Sequence, residues 1–245
     1  MFISSLDNKK IKEYSKLKQK KYRDLSSKFI IEGEHLVEEA LKSGFLLDVL
    51  VLESYPFKID FDITYVTKAI LKELTDLETA PPVIGICKKL DIKKESSHKI
   101  LILDNIQDPG NLGTIIRTSK AFGIDEILIS KDSVDLYNSK VIRATQGIIF
   151  YLPVIRCDLE DEINDLKQAG ITIYGTNVHN GIDIRTLDAK MKNDYAIVMG
   201  NEGNGVRNEI QKQVDKNLYI NMDSTVESLN VSIATSIILY EFTRR

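Results

Sequence analysis

The sequence predicts an α/β protein built in two parts, on three observations. Short apolar runs alternate with amphipathic stretches of helix length along the whole chain. Some of these runs, such as Ile100-Leu101-Ile102-Leu103 and Ala196-Ile197-Val198-Met199, are uninterrupted, as in a parallel sheet buried on both faces. The alternation breaks once, at residues 91–98, where the chain is polar and has no apolar period. A chain of 245 residues, 43% of them apolar, has room for one large domain or two modest ones. The expected division is a domain at 1–91, a linker at 92–98 and a domain at 99–245.

In the first part, residues 7–20 have helical spacing, with Ile11, Tyr14 and Leu17 on one side and lysines around them. Phe29-Ile30-Ile31 predicts a strand. Residues 34–42 predict a helix with Leu36, Val37, Ala40 and Leu41 on its apolar face and Gly44 as its stop. Strands are expected at 49–52, 63–66 and 83–87, with a helix at 68–77. The second part predicts strands at 99–104, 126–130, 171–176, 195–199 and 217–221. Helices are expected at about 112–122, 138–147, 159–168, 206–213 and 228–243. Periodicity alone leads to a doubly wound sheet, because knotted chains are very rare.

No apolar run reaches the length of a membrane span, and the N-terminus lacks a basic head followed by an apolar stretch. Cys87 and Cys157 lack C-x-x-C spacing, so neither a disulfide framework nor a zinc site is expected, and a reducing cytoplasm is the expected setting. The net charge of −3 argues against a nucleic-acid partner, but its distribution does not. Residues 1–28 hold nine Lys/Arg against three acids. Such a patch is either a phosphate footprint, with Lys16, Lys18, Lys20 and Lys21 as the RNA-binding candidates, or a solvated helix face.

Three motifs carry the chemistry. The first, Asp104-Asn105-Ile106-Gln107-Asp108-Pro109-Gly110-Asn111-Leu112-Gly113-Thr114-Ile115-Ile116-Arg117-Thr118, runs from a strand end through a turn into a helix. Ligands of α/β sheets bind at the carboxyl ends of strands. Asn111 brings a donor and an acceptor there, and Arg117 a cation. The second, Gly200-Asn201-Glu202-Gly203-Asn204-Gly205, is spaced G-x-x-G-x-G, unlike the dinucleotide fingerprint. Its glycines suit a backbone lying close against a ligand. In the third, Ile220 and Met222 close the last strand, and Glu227-Ser228-Leu229-Asn230 opens the final helix, where Ser228 suits an N-cap.

In this order, the three motifs resemble the signatures of the SpoU/TrmH-type RNA 2′-O-methyltransferases of the SPOUT class. The resemblance is close over residues 99–245. It implies a C-terminal SPOUT (α/β knot) domain with a parallel sheet, threaded as a trefoil knot, and a smaller N-terminal L30e-like α/β domain that binds substrate RNA. It further implies S-adenosylmethionine as cofactor, held around Gly200, Ile220, Met222 and Leu229 and bordered by Thr176 and Asn177. Arg117 is implied at the ribose 2′-hydroxyl, with Asn111, Glu202, Ser228 and Asn230 orienting it and the ribose. An arginine with a pKa above about 12 makes a costly base. Binding the adjacent phosphate and the incipient alkoxide is therefore its preferred role. Arg143 matches the family more loosely, as a phosphate contact.

No metal is demanded, and His35, His98 and His179 are scattered without ligand or nucleophile spacing. The resemblance also implies a homodimer paired through the C-terminal domain. The expected activity is methyl transfer to ribosomal RNA, with transfer RNA second. A non-catalytic RNA-binding protein on the same fold is disfavoured by the presence of all five polar site residues. A dehydrogenase is disfavoured by the missing glycine fingerprint.

Overall fold

The computed structural model describes residues 1–91, 97–178 and 180–244. The elements run β1 (Phe2–Ile3), α1 (Lys9–Lys16), α2 (Lys20–Ser26), β2 (Lys28–Glu32), α3 (Glu34–Lys42), β3 (Leu46–Leu52), β4 (Ile63–Val66), α4 (Lys68–Leu74) and β5 (Val83–Lys88). They continue with β6 (Lys99–Leu103), α5 (Pro109–Ala121), β7 (Glu126–Ser130), α6 (Ser139–Thr145), β8 (Val154–Cys157), α7 (Leu159–Gln168) and β9 (Thr172–Thr176). The last are β10 (Ile182–Asp183), β11 (Tyr195–Met199), α8 (Asn208–Gln211), β12 (Lys216–Tyr219) and α9 (Val231–Thr243).

The first compact unit holds the N-terminal chain together with Asp135–Tyr151. Its five-stranded sheet has the order β1-β4-β3-β5-β2, parallel across β1-β4-β3 and antiparallel at β5 and β2. Ile11, Tyr14 and Leu17 form one core with Leu50, Ile70, Leu71, Leu74, Ile84 and Ile86. The helix expected at 7–20 is divided. The buried Arg23 guanidinium donates to the carbonyls of Leu17 (2.8 Å) and Lys18 (2.7 Å), which takes them out of a continuing helical ladder.

The expected boundary at 91/99 is corrected in one respect, because 135–151 belongs to the first unit. The reason is apolar burial. Phe150 stacks with Phe29 (6.4 Å) and Phe45 (6.0 Å), Tyr137 meets Phe29 at 4.7 Å, and Val141 and Ile142 of α6 are buried. Arg23 pairs with Asp135 and Arg143 with Glu32. Most of the expected linker, 92–96, lies outside the described residues, as does His179.

The second unit is a seven-stranded sheet, all parallel, in the order β10-β12-β9-β11-β6-β7-β8. Ile100, Ile102, Ala196 and Val198 bury one face with Leu159, Ile163 and Leu166 of α7 and Ile210 of α8. On the other face Phe242 of α9 meets Tyr195 (4.5 Å) and Tyr174 (5.6 Å), and α9 packs on α5. The chain thus inserts β11 between β6 and β9, which gathers the carboxyl ends of β6, β9, β11 and β12. The last helix begins at Val231, three residues later than expected. β8 goes unpredicted because Arg156 interrupts its apolar run.

Candidate functional site

The site is built in the second unit, on the loops that follow these strand ends. Asp104, fully buried where β6 ends, accepts hydrogen bonds from the backbone N–H (2.8 Å) and Nε (2.7 Å) of Arg207. This pair ties the loop after β11 to the end of β6. The same loop is closed on itself. Asn201 and Gly205 exchange backbone hydrogen bonds (2.9 and 3.0 Å), and Asn201 Oδ1 accepts from the N–H groups of Gly203 (2.9 Å) and Asn204 (3.1 Å). Asn201 Nδ2 donates to the Asn105 carbonyl at 2.8 Å. A Cβ on Gly200 would lie 2.2 Å from the Gly205 carbonyl carbon and the Val206 nitrogen. Gly200 is therefore required by its own loop, whatever ligand that loop holds.

Glu202 projects from this loop to the start of α5. It accepts from Asn111 Nδ2 (3.1 Å) and from the backbone N–H groups of Asp108 (3.2 Å) and Gln107 (3.4 Å). Burial disfavours its charge, but hydrogen bonds from Asn111 and backbone N–H groups outweigh this and hold its pKa below the usual glutamate value. Asn111 Oδ1 in turn accepts from Asn230 Nδ2 at 3.0 Å. Asp108 caps α5 by accepting from Asn111 N–H (2.8 Å), and Pro109 fills the first helical position. Pro109, Gly110 and Asn111, which precede the helix expected at about 112–122, are therefore already helix.

Asn111, Glu202 and Asn230 thus form one chain of hydrogen bonds. Ser228 does not join it, nor is it the N-cap. Asn230 caps α9, accepting from Ser232 N–H at 2.9 Å, and Ser228 is exposed two residues earlier. Arg117 also stands apart. Six residues beyond Asn111, it lies roughly 9 Å along the helix and about 120° around it. It is exposed, with no hydrogen bond or ion pair among the described residues.

Beside the Glu202 loop lies a cavity of about 560 Å³, within the usual range of about 300–1,000 Å³ for small-molecule sites. All six residues expected to hold the cofactor line it: Thr176, Asn177, Gly200, Ile220, Met222 and Leu229. Leu218, Ala234 and Ile238 supply an apolar floor, and Glu202 and Ser228 stand at the wall. Apolar side chains with backbone polar groups near them fit an adenosine with a charged tail, so the donor set suits S-adenosylmethionine. Asp104, Asn201 and Arg207 escape the sequence reading. An acid ending an apolar strand is the one signal that marks Asp104.

The basic N-terminal patch is largely neutralised within the first unit. Lys10 pairs with Asp48 (2.5 Å), Lys12 with Asp7 (2.7 Å), Lys20 with Asp24 (2.6 Å) and Lys28 with Glu13 (2.9 Å), and Lys18 lies 3.8 Å from Asp76. Among the four expected RNA-binding lysines, Lys16 and Lys21 have no acidic partner among the described residues, and both approach the Tyr22 ring. Arg143, expected at a phosphate, is held instead by the buried Glu32. His35 contacts the Gln146 carbonyl (3.2 Å) and His98 contacts Asp194 (2.6 Å).

Residues 98–240 match the model of the SpoU rRNA Methylase family, and residues 8–85 that of the MRM3-like substrate binding domain. The chain is 37% identical over 244 residues to the 23S rRNA (guanosine(2553)-2′-O)-methyltransferase RlmP of Bacillus subtilis, covering 97% of each chain. It superposes on the AdoMet-bound rRNA methyltransferase of Sinorhizobium meliloti with a TM-score of 0.86 at 30% identity, over 99% of this chain and 97% of the other. The SpoU methyltransferase AviRb of Streptomyces viridochromogenes, at 22% identity, has the same fold, with a TM-score of 0.85 over 96% and 97% of the two chains.

Proposed function

This chain belongs to the SpoU rRNA methylase family, and from that premise we propose that it is an S-adenosylmethionine-dependent RNA 2′-O-ribose methyltransferase that modifies 23S ribosomal RNA. The observation that supports it best is the cavity. Residues of the second and third motifs line it, and the Glu202–Asn111–Asn230 chain of hydrogen bonds ties the first motif to them. When bound there, the cofactor supplies an electrophilic methyl group on a sulfonium. The loops at Gly200–Val206 and Ile220–Leu229 hold it, with Thr176 and Asn177 at the border.

Glu202, kept ionised by its hydrogen bonds, is a weak base and acts by fixing Asn111. Asn111 and Asn230 orient the ribose. In the active homodimer Arg117 of one chain serves the cavity of the other, where it binds the phosphate beside the target ribose and the negative charge developing on its 2′-oxygen. The phosphate or solvent takes the proton.

Residues 1–91 form an L30e-like RNA-binding domain, and Lys16 and Lys21 contact phosphate. The tail after β12 threads the trefoil knot. The active form is a cytoplasmic homodimer paired through the second unit. Ile233 and Tyr240, both exposed on α9, offer it an apolar surface. Among the described residues no helix is long and apolar enough to cross a membrane. The test is to map ribose methylation in RNA from cells with and without this protein. Loss of one 23S rRNA methylation, at the guanosine named for the Bacillus relative, is the expected result. Loss confined to transfer RNA, or no loss, overturns it.

A further inference from the structure

We propose that Tyr22 is a stacking platform for an unpaired base of the substrate RNA, flanked by Lys16 and Lys21 as phosphate contacts. The proposal rests on the RNA methyltransferase reading and deepens it. Tyr22 lies on α2, partly exposed. The Lys16 ammonium sits 5.6 Å from its ring centre and that of Lys21 6.0 Å. Both distances are close to the limit of about 6 Å for a cation–π contact, so the ring holds these cations loosely. A base stacking on the ring displaces them at little cost and leaves them beside its phosphates.

Three further observations favour a nucleic acid. First, the nearest acid on α2 is already satisfied. Asp24 binds both Lys20 and Lys89, and its pKa is pushed down to about 2 by those two hydrogen bonds. It therefore neither neutralises Lys16 and Lys21 nor repels a phosphate strongly. Second, Leu25, one helical turn after Tyr22, is 73% exposed and extends the apolar surface on the same side of the helix. Third, an aromatic face beside cations without acidic partners among the described residues matches single-stranded RNA, whose bases stack on such faces and whose phosphates need the charge. A double helix, with its bases already stacked, has no use for the ring.

The chain contains no tryptophan, so Tyr22→Trp installs a single fluorophore at the platform. Titrating the full-length protein with a short unstructured oligoadenylate should quench its emission. A single Tyr65→Trp reporter, on the β4 face opposite Thr64, should respond weakly. Tyr22→Ala should weaken binding of the same oligonucleotide about five- to hundredfold, and Tyr22→Phe should stay within about twofold of wild type. KM for ribosomal RNA should rise in Tyr22→Ala while kcat and cofactor affinity hold. Unquenched emission with RNA bound, or wild-type binding by Tyr22→Ala, overturns the platform. Weakening by Lys16→Gln/Lys21→Gln alone would then mark a surface that reads phosphate only. A chain that methylates ribosomal RNA without quenching loses the platform and keeps its function. Quenching in a chain that transfers no methyl group does the reverse.

Discussion

Arg117 and Glu202 carry opposite charges in opposite settings, and the difference predicts how each responds to substitution. Arg117 is exposed and has no hydrogen bond or ion pair among the described residues, so its loss should leave thermal stability nearly unchanged. Arg117→Ala should lower the single-turnover methyl-transfer rate by about 10²–10³ with cofactor binding intact, and Arg117→Lys should recover little, because an ammonium lacks the planar fork. Near-wild-type turnover of Arg117→Ala would remove this residue from the reaction. Glu202 is anchored by Asn111 and by backbone N–H groups that lower its pKa against the penalty of burial. A carboxylate with a depressed folded-state pKa contributes fully above its unfolded value, and the contribution disappears as pH falls through the lower one. Glu202 should therefore add no inflection to the pH–rate profile between about pH 5 and pH 9. Glu202→Gln should lower kcat about tenfold or more without changing the shape of that profile. An acidic limb that vanishes in Glu202→Gln would make this residue a base after all.

At the scale of elements, the final helix separates two residues that look alike in the sequence. Ser228 and Asn230 both suit an N-cap, but only Asn230 has its side chain on the α9 N–H groups and on Asn111. Asn230→Ala should cost about 0.5–2 kcal/mol, lowering Tm by a few degrees, and should also impair methyl transfer. Ser228→Ala should leave Tm unchanged in a thermal melt. Equal losses for both would contradict the capping geometry. The strands 126–130 and 195–199 and the helices 34–42 and 159–168 were legible to the residue, because each carries a local signal, a helical period in the two helices and a continuously buried run in the two strands. Those that escaped had none. β1 and β10 are two residues long, and β8 carries Arg156, whose guanidinium donates to the carbonyls of Ser130, Lys131, Ser133 and Val134. Gly200, Ile220, Met222 and Leu229 of the pocket were legible through the motifs, and Thr176 and Asn177 through the family resemblance. The Asp104–Arg207 pair was not, since 103 positions separate its partners and no local pattern links them.

For the whole molecule, the division of the chain matters more than its length. Residues 135–151 leave the parallel sheet after β7, complete the first unit and return as β8. A fragment of residues 97–245 should therefore expose Val141, Ile142 and Phe150, bind a hydrophobic dye and sediment as aggregates. Replacing 135–151 by a short polar linker in the same fragment should restore a soluble protein that binds S-adenosylhomocysteine. A monodisperse 97–245 fragment would show that the segment needs no partner. The same exchange of segments bears on synthesis. Phe29 and Phe45 leave the ribosome early, but Phe150, which covers them, is translated roughly sixty residues after the last strand of their sheet. At about 5–20 residues per second, the N-terminal sheet waits roughly 3–12 s with that face open. During translation it is a natural point for a chaperone to bind, and a pause in decoding between β5 and α6 would prolong its exposure.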